Sequence, residues 1–199
     1  MYLRWTVLLL LGISIHAHAQ PIQIAKGNFD FIDEVKKLHL RFDYQNLVIS
    51  KYKSETAYLK EKQQDLNRQK AGSGDTWREN WVEDREDYFH PSFTQAFFKH
   101  VRKIDRTPHL RTASHQMVVK VTYMEPGFKV RYSEKSAEIN VSAMFYKVDR
   151  PNDTLAIVEF TRCRGKKTGE NNYDTRGRLV DAFATCGKAL GKFIRRHAY

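Results

Sequence analysis

Ala137–Tyr146, AEINVSAMFY, decides the fold. Ile139, Val141, Ala143 and Phe145 alternate with Glu138, Asn140, Ser142, Met144 and Tyr146. A period of two means a strand with one buried face. The same alternation precedes it at Met117, Val119, Val121 and Tyr123, with Glu125-Pro126-Gly127 as a turn between them. Downstream, Arg150-Pro151-Asn152-Asp153 reads as a turn into a third strand, Leu155 to Cys163. Three consecutive strands with short connections predict an antiparallel meander.

Helical signals lie on either side. From about Thr175, Leu179, Phe183, Cys186, Leu190 and Ile194 form one stripe of a closing amphipathic helix, with Gly187 and Gly191 beside it. Those glycines predict a close approach of this helix to the sheet, since each weakens the helix by about 1 kcal/mol. Upstream, Ser54 opens a polar run of strong helix formers that ends at Ala71-Gly72-Ser73-Gly74. Thr76 and Glu79 have the spacing of a capping box for a second helix, which His90-Pro91 breaks. Pro91 then starts a third, whose stripe is Phe93, Phe97, Val101 and Ile104. Earlier still, Leu38, Leu40, Phe42 and Tyr44 alternate as a strand; Asn46 interrupts it and Leu47-Val48-Ile49 resumes, as in a bent or bulged strand. Strands grouped apart from helices predict an α+β two-layer fold. The expectation is a mainly antiparallel sheet of four to five strands with helices packed on one face.

The N-terminus predicts export. Arg4 gives a short positive start, Trp5 to Ile15 an apolar core, and Ala17-His18-Ala19 a small-x-small end, so residues 1–19 read as a signal peptide cleaved near Ala19/Gln20. The apolar run is too short to span a bilayer, and no second such run follows. Residues 20–199 then form a single α+β domain, periplasmic or extracellular, without a transmembrane anchor. In that compartment Cys163 and Cys186, the only cysteines, are allowed to bond, and a disulfide between them would staple the last helix to the last strand.

Formal net charge is +11. An excess of that size points to an anionic partner. For an exported chain this is an envelope component or an acidic protein rather than nucleic acid. The basic residues gather around the last loop: Arg162, Arg164, Lys166, Lys167, Arg176 and Arg178 are the candidate anionic-partner site. Lys188, Lys192, Arg195 and Arg196 finish the last helix, where the helix dipole is reason enough for them.

Catalytic signals are weak. Glu83 and Asp87 share a helical face, as do Glu86 and His90, and an exported hydrolase acting on polymer could use such groups in a cleft. Trp77, Trp81, Tyr88 and Phe89 suit either a core or the groove of a small-ligand or sugar carrier. No HExxH spacing, nucleophile elbow or phosphate loop is present, so neither metal nor cofactor is implied. The leading reading is a non-enzymatic binding or accessory module.

The strings VVKVTYMEPGFKV, AEINVSAMFYKV, DTLAIVEF and RGRLVDAFATCGKALGKFIRR resemble a group of exported, uncharacterised proteins of Bacteroides-type Gram-negative bacteria. The matching positions at the end are Asp181, Ala182, Phe183, Ala184, Gly187, Lys188, Leu190, Gly191 and Lys192, and FDYQNLVISKY and GDTWRENWVEDR fit the same group. The resemblance implies export and carries no assigned activity or site residues.

Overall fold

The computed structural model describes residues 22–165 and 174–198. The segment read as a signal peptide lies outside them, as do Lys166 and Lys167. The strands are β1 (Ile22–Gly27), β2 (Lys37–Asp43), β3 (Val48–Ile49), β4 (Asp105–Arg106), β5 (His115–Glu125), β6 (Phe128–Val130), β7 (Ser133–Lys135), β8 (Glu138–Lys147) and β9 (Arg150–Arg164). The helices are α1 (Glu55–Gln69), α2 (Ser73–Asp84), α3 (His90–Phe98) and α4 (Thr175–Ala198).

The fold is α+β, but the sheet is a seven-stranded mixed sheet instead of the mainly antiparallel four- to five-stranded one expected. Its order is β1-β9-β8-β5-β2-β4, with β3 also paired to β5. The β5-β8-β9 meander and β1 are antiparallel, whereas β2, β3 and β4 pair in parallel. The reason is the connection: α1, α2 and α3 all lie between β2 and β5. A crossover of that length delivers the chain back to the same end of the sheet, as parallel pairing requires. Leu38 to Asp43 pair with His115 to Lys120, and after the bend at Asn46 (φ 62°) Val48 and Ile49 pair with Tyr123 and Met124. The interruption at Asn46 is therefore a bent strand that regains the same neighbour.

Burial follows the alternation. Ile139, Val141, Ala143 and Phe145 are buried while their neighbours on β8 are half-exposed, so one face of the sheet is the core. Phe160 and Cys163 both point into it although they are three positions apart. That parity break requires a bulge: the β8–β9 register shifts between Ile139 and Val141, Arg162 takes φ 58°, and its N–H donates to Asn140 Oδ1 at 2.8 Å. The β8–β9 turn falls at Val148-Asp149, ahead of the expected Pro151, which sits in β9 beyond the stretch that β1 pairs.

Two helix boundaries and one helix contact differ from expectation. Helix α2 starts at Ser73, so Thr76 is inside it and bonds the Gly72 carbonyl at 3.3 Å. Gly74 explains the earlier start: a Cβ there would stand 2.1 Å from the Gln63 carbonyl oxygen, so only glycine lets α2 begin against α1. At His90-Pro91 the chain does not break. A π-turn, Arg85–Phe89, joins α2 to α3, and its wider loop accommodates the ring and missing N–H of Pro91. Finally, Gly187 and Gly191 face α3 rather than the sheet. A Cβ at Gly187 would stand 2.2 Å from the Phe93 oxygen, and one at Gly191 2.6 Å from the Phe97 oxygen.

Cys163 and Cys186 are free thiols, both fully buried, so the disulfide is not formed. Packing of strand against helix sets the two side chains as neighbours without an S–S bond. Burial, then the neighbouring Cys163, push the Cys186 thiol well above its ordinary range. Two outcomes follow. Unreduced protein in denaturant should react with two equivalents of a thiol reagent, and slowly or not at all while folded. Gly187→Ala should lower stability by roughly 2 kcal/mol or more in thermal melts, although alanine is the better helix former.

Candidate functional site

Of the basic residues nominated from the sequence, Arg164, Arg176 and Arg178 are engaged within the molecule. Arg164 Nε donates to Glu138 Oε2 at 2.8 Å, as their cross-strand register allows. Arg176 pairs with Asp84 at 2.7 Å and lies 4.7 Å from the Tyr88 ring centre. Arg178 is buried; its guanidinium donates to the carbonyls of Pro126 at 3.0 Å and Gly127 at 3.2 Å, and to Thr175 Oγ1 at 3.1 Å. Arg162 is exposed and lines an open recess of about 510 Å³ with Tyr123, Glu138, Asn140 and Thr161. That recess carries a carboxylate in its wall.

The carboxylates of the acidic helix do not converge. Glu83, Glu86 and Asp87 are exposed, and among the described residues no three His, Cys, Asp or Glu side chains stand together as a metal site. His90 is held in a relay: its ring stacks on Phe42 at 3.9 Å, Nε2 is 3.0 Å from the Tyr44 hydroxyl, and Nδ1 is 3.3 Å from Glu86. Arg85 covers Tyr44 and pairs with Glu55, which also accepts the Trp81 indole N–H at 2.7 Å. Burial lowers the His90 imidazole pKa against the opposing pull of Glu86. This chain ties the π-turn to β2. The aromatics do the same kind of work: Trp81 and Phe89 are buried, Phe89 stacks on Phe183 at 5.1 Å, and Trp77 packs on Tyr58.

A concentration of cations that the sequence reading divided between two elements is brought together by the fold. Beyond α3 the chain turns tightly, with Lys99 N–H bonding Gln95 O and Ile104 N–H bonding Val101 O. Val101 and Ile104 are buried, which turns Lys99, His100, Arg102 and Lys103 outward. With Arg195 of α4 these four line a recess of about 420 Å³. Gly191 makes the recess by letting α4 approach, and a Cβ there would also press on the His100 Cβ at 3.0 Å. Burial lowers the His100 imidazole pKa first, then Lys192, Arg195, Lys188 and Lys99 in that order; every charge acting on it is a cation. Among the described residues Lys99, Arg102, Lys188, Lys192 and Arg195 have no carboxylate partner. The helix dipole does not account for them all, because its effect is confined to the last turn and Lys188 and Lys192 lie before it. The signal in the sequence was the i, i+4 pair Lys188/Lys192; its partner strip at 99–103 could be matched to it only through the α3–α4 contact.

No protein-family model matches the chain, and no curated protein does. Among solved structures it is similar to the PelC dodecamer from Paraburkholderia phytofirmans, with a TM-score of 0.40, 10% identity, and coverage of 86% of this chain and 97% of that one. A leucine-to-methionine variant of the same PelC gives a TM-score of 0.38 at 9% identity, with the same coverage. Likenesses this faint carry no functional argument.

Arg178 and Arg162 separate a structural arginine from a surface one. Arg178→Met should lower stability by about 2–3 kcal/mol, because it strands two carbonyls, whereas Arg162→Ala should stay within about 0.5 kcal/mol in chemical denaturation.

Proposed function

We propose that this chain is an exported, non-enzymatic module that binds an anionic envelope component through the recess around His100. The observation that carries the reading is one recess in which Lys99, Arg102, Lys103 and Arg195 surround His100 with no carboxylate in the lining. Like charges gathered this way repel one another and favour a bound counter-charge. The N-terminal stretch that reads as a signal peptide, and the resemblance to exported proteins, support an envelope setting. Among the described residues no helix is long and apolar enough to cross a membrane. The exposed, divergent Glu83 and Asp87 give a hydrolytic reading nothing to work with.

Chemically, the recess suits phosphate, sulfate or clustered carboxylates. Arginines 102 and 195 offer forked donors, the lysines point charges, and His100 a group whose protonation follows the ligand. His100 titrates below the ordinary imidazole range when the recess is empty. A bound anion favours its charged form and draws the pKa back up, so binding takes up a proton.

Titration with polyphosphate tests this by calorimetry. Affinity should fall steeply with salt and rise as pH drops from about 7.5 to about 5.5, with His100→Gln flattening that rise. Replacing Arg102, Lys192 and Arg195 by glutamine should weaken binding at least about tenfold without lowering the melting temperature, since repulsion is relieved. If Arg162→Gln and Arg164→Gln weaken it as much while the recess variant does not, the site lies at the sequence-nominated loop and this reading fails.

A further inference from the structure

The β6–β7 ribbon stands outside the two-layer scheme. It leaves the main sheet after Glu125, pairs only with itself, and rejoins the sheet at Glu138. Phe128 and Val130 are 44% and 60% exposed, and Tyr132, in the turn, is 88% exposed. Residues two apart on a strand share a face, so Phe128 and Val130 present one apolar side next to the Tyr132 ring. Isolated apolar residues at a surface need no explanation, but three within five positions on one ribbon form a patch.

The ribbon is also held in place. A two-stranded hairpin is at best marginally stable by itself. Here Glu125, which is buried, accepts from Ser50 Oγ at 2.9 Å, Lys135 Nζ at 2.6 Å and Gly127 N–H at 3.1 Å. On the other side the buried Arg178 fixes the carbonyls of Pro126 and Gly127. Gly127 has φ 65° and no room for a side chain, since a Cβ would meet the Lys135 oxygen at 2.2 Å. The fold thus commits two buried ionisable residues and a left-handed glycine to the base of a ribbon whose apolar side faces water.

The surroundings are basic. Lys129, Arg131 and Lys135 lie on the ribbon and Arg162 and Arg164 at its foot, against Glu125, Glu134 and Glu138. Lys135 is tied to Glu125, Arg164 to Glu138, and Lys129 stands in register with Glu134, which leaves a net positive balance around the tip. Arg162 lies in the recess shared with Glu138. An apolar tip on a net-cationic base, with Arg131 beside Tyr132 and Arg162 exposed at the foot, matches the chemistry of an anionic bilayer surface, where rings and alkyl groups enter the headgroup boundary and cations remain among phosphates. A fluid bilayer closes around a narrow ribbon without a preformed pocket.

We propose that the β6–β7 ribbon docks this protein on an anionic lipid surface, with Phe128, Val130 and Tyr132 entering the interface. This goes beyond the anion recess and is independent of it. Arg178 marks the ribbon end of α4 and Arg195 the recess end, about 25 Å apart along the helix at 1.5 Å per residue. A protein seated on its ribbon keeps the recess away from the lipid.

The test uses the protein without its N-terminal 19 residues and vesicles of phosphatidylcholine with or without phosphatidylglycerol. A Tyr132→Cys variant carrying an environment-sensitive dye reports on the tip, because the two native thiols are buried. Expected are a blue shift with phosphatidylglycerol vesicles and none with phosphatidylcholine alone. Cosedimentation of the Phe128→Ser, Val130→Ser, Tyr132→Ser triple variant should be weaker by at least about tenfold, while the Arg102, Lys192, Arg195 variant sediments like the parent. Far-UV circular dichroism checks folding, and if the triple variant is unfolded the single Tyr132→Ser change serves. A dye that stays in water, or ribbon variants that bind as the parent does, would overturn the proposal. Loss of vesicle binding in the recess variant alone would overturn it too, by reassigning the lipid contact to the recess.

Discussion

The contact on which this structure turns is the approach of α4 to α3 across Gly187 and Gly191. At both positions a single Cβ would collide with an α3 carbonyl oxygen. The helices therefore meet backbone to backbone, and Phe89, Phe93, Phe97, Phe183, Leu190 and Ile194 close the core beneath them. Two glycines in a long helix weaken it locally, and the packing gained outweighs that loss. The same approach sets the distance between the strip at 99–103 and the cations of α4. One steric constraint thus shapes both the core and the recess.

Charge is used in two different ways. Where Arg164, Arg176 and Arg178 meet Glu138, Asp84 and backbone carbonyls, each cation is satisfied within the molecule and acts as a structural tie. Lys99, Arg102, Lys188, Lys192 and Arg195, around His100, have no carboxylate partner among the described residues, and the charges that lower the imidazole pKa are cations. A buried charge without partners would be untenable, but these groups are at the surface, where water screens them and an incoming anion can replace it. The basic excess of the whole chain hides this division between ties and open sites.

Much of the architecture was legible beforehand. The alternation in β5 and β8 and the stripe of α4 each follow from one buried face, and burial agrees along β8 and α4, whereas in β5 the register shift after Val121 leaves Tyr123 half-exposed and buries Met124. Ser54 caps α1 by accepting from the Ala57 N–H, as its position suggested. Thr76 misled because the cap signal is local, while the true start at Ser73 depends on contact with α1. Strands β1 and β6 alternate only over Ile22/Ile24 and Phe128/Val130, too briefly to be read as strands, and both are largely exposed. A period of two identifies a strand securely only where it runs long, as it does where one side is hidden from water.

What the sequence alone determined was local: which segments are strands or helices, which face each buries, and that the chain is strongly basic. Only the tertiary structure decided that β2 runs parallel to β5, that the two cysteines pack as free thiols, and that lysines and arginines distant in sequence share one recess while Arg164, Arg176 and Arg178 are tied off. The reason is physical. Periodicity records one-dimensional burial, whereas register, distance and ion pairing depend on which elements are neighbours, and here glycine-sized gaps between helices set that neighbourhood.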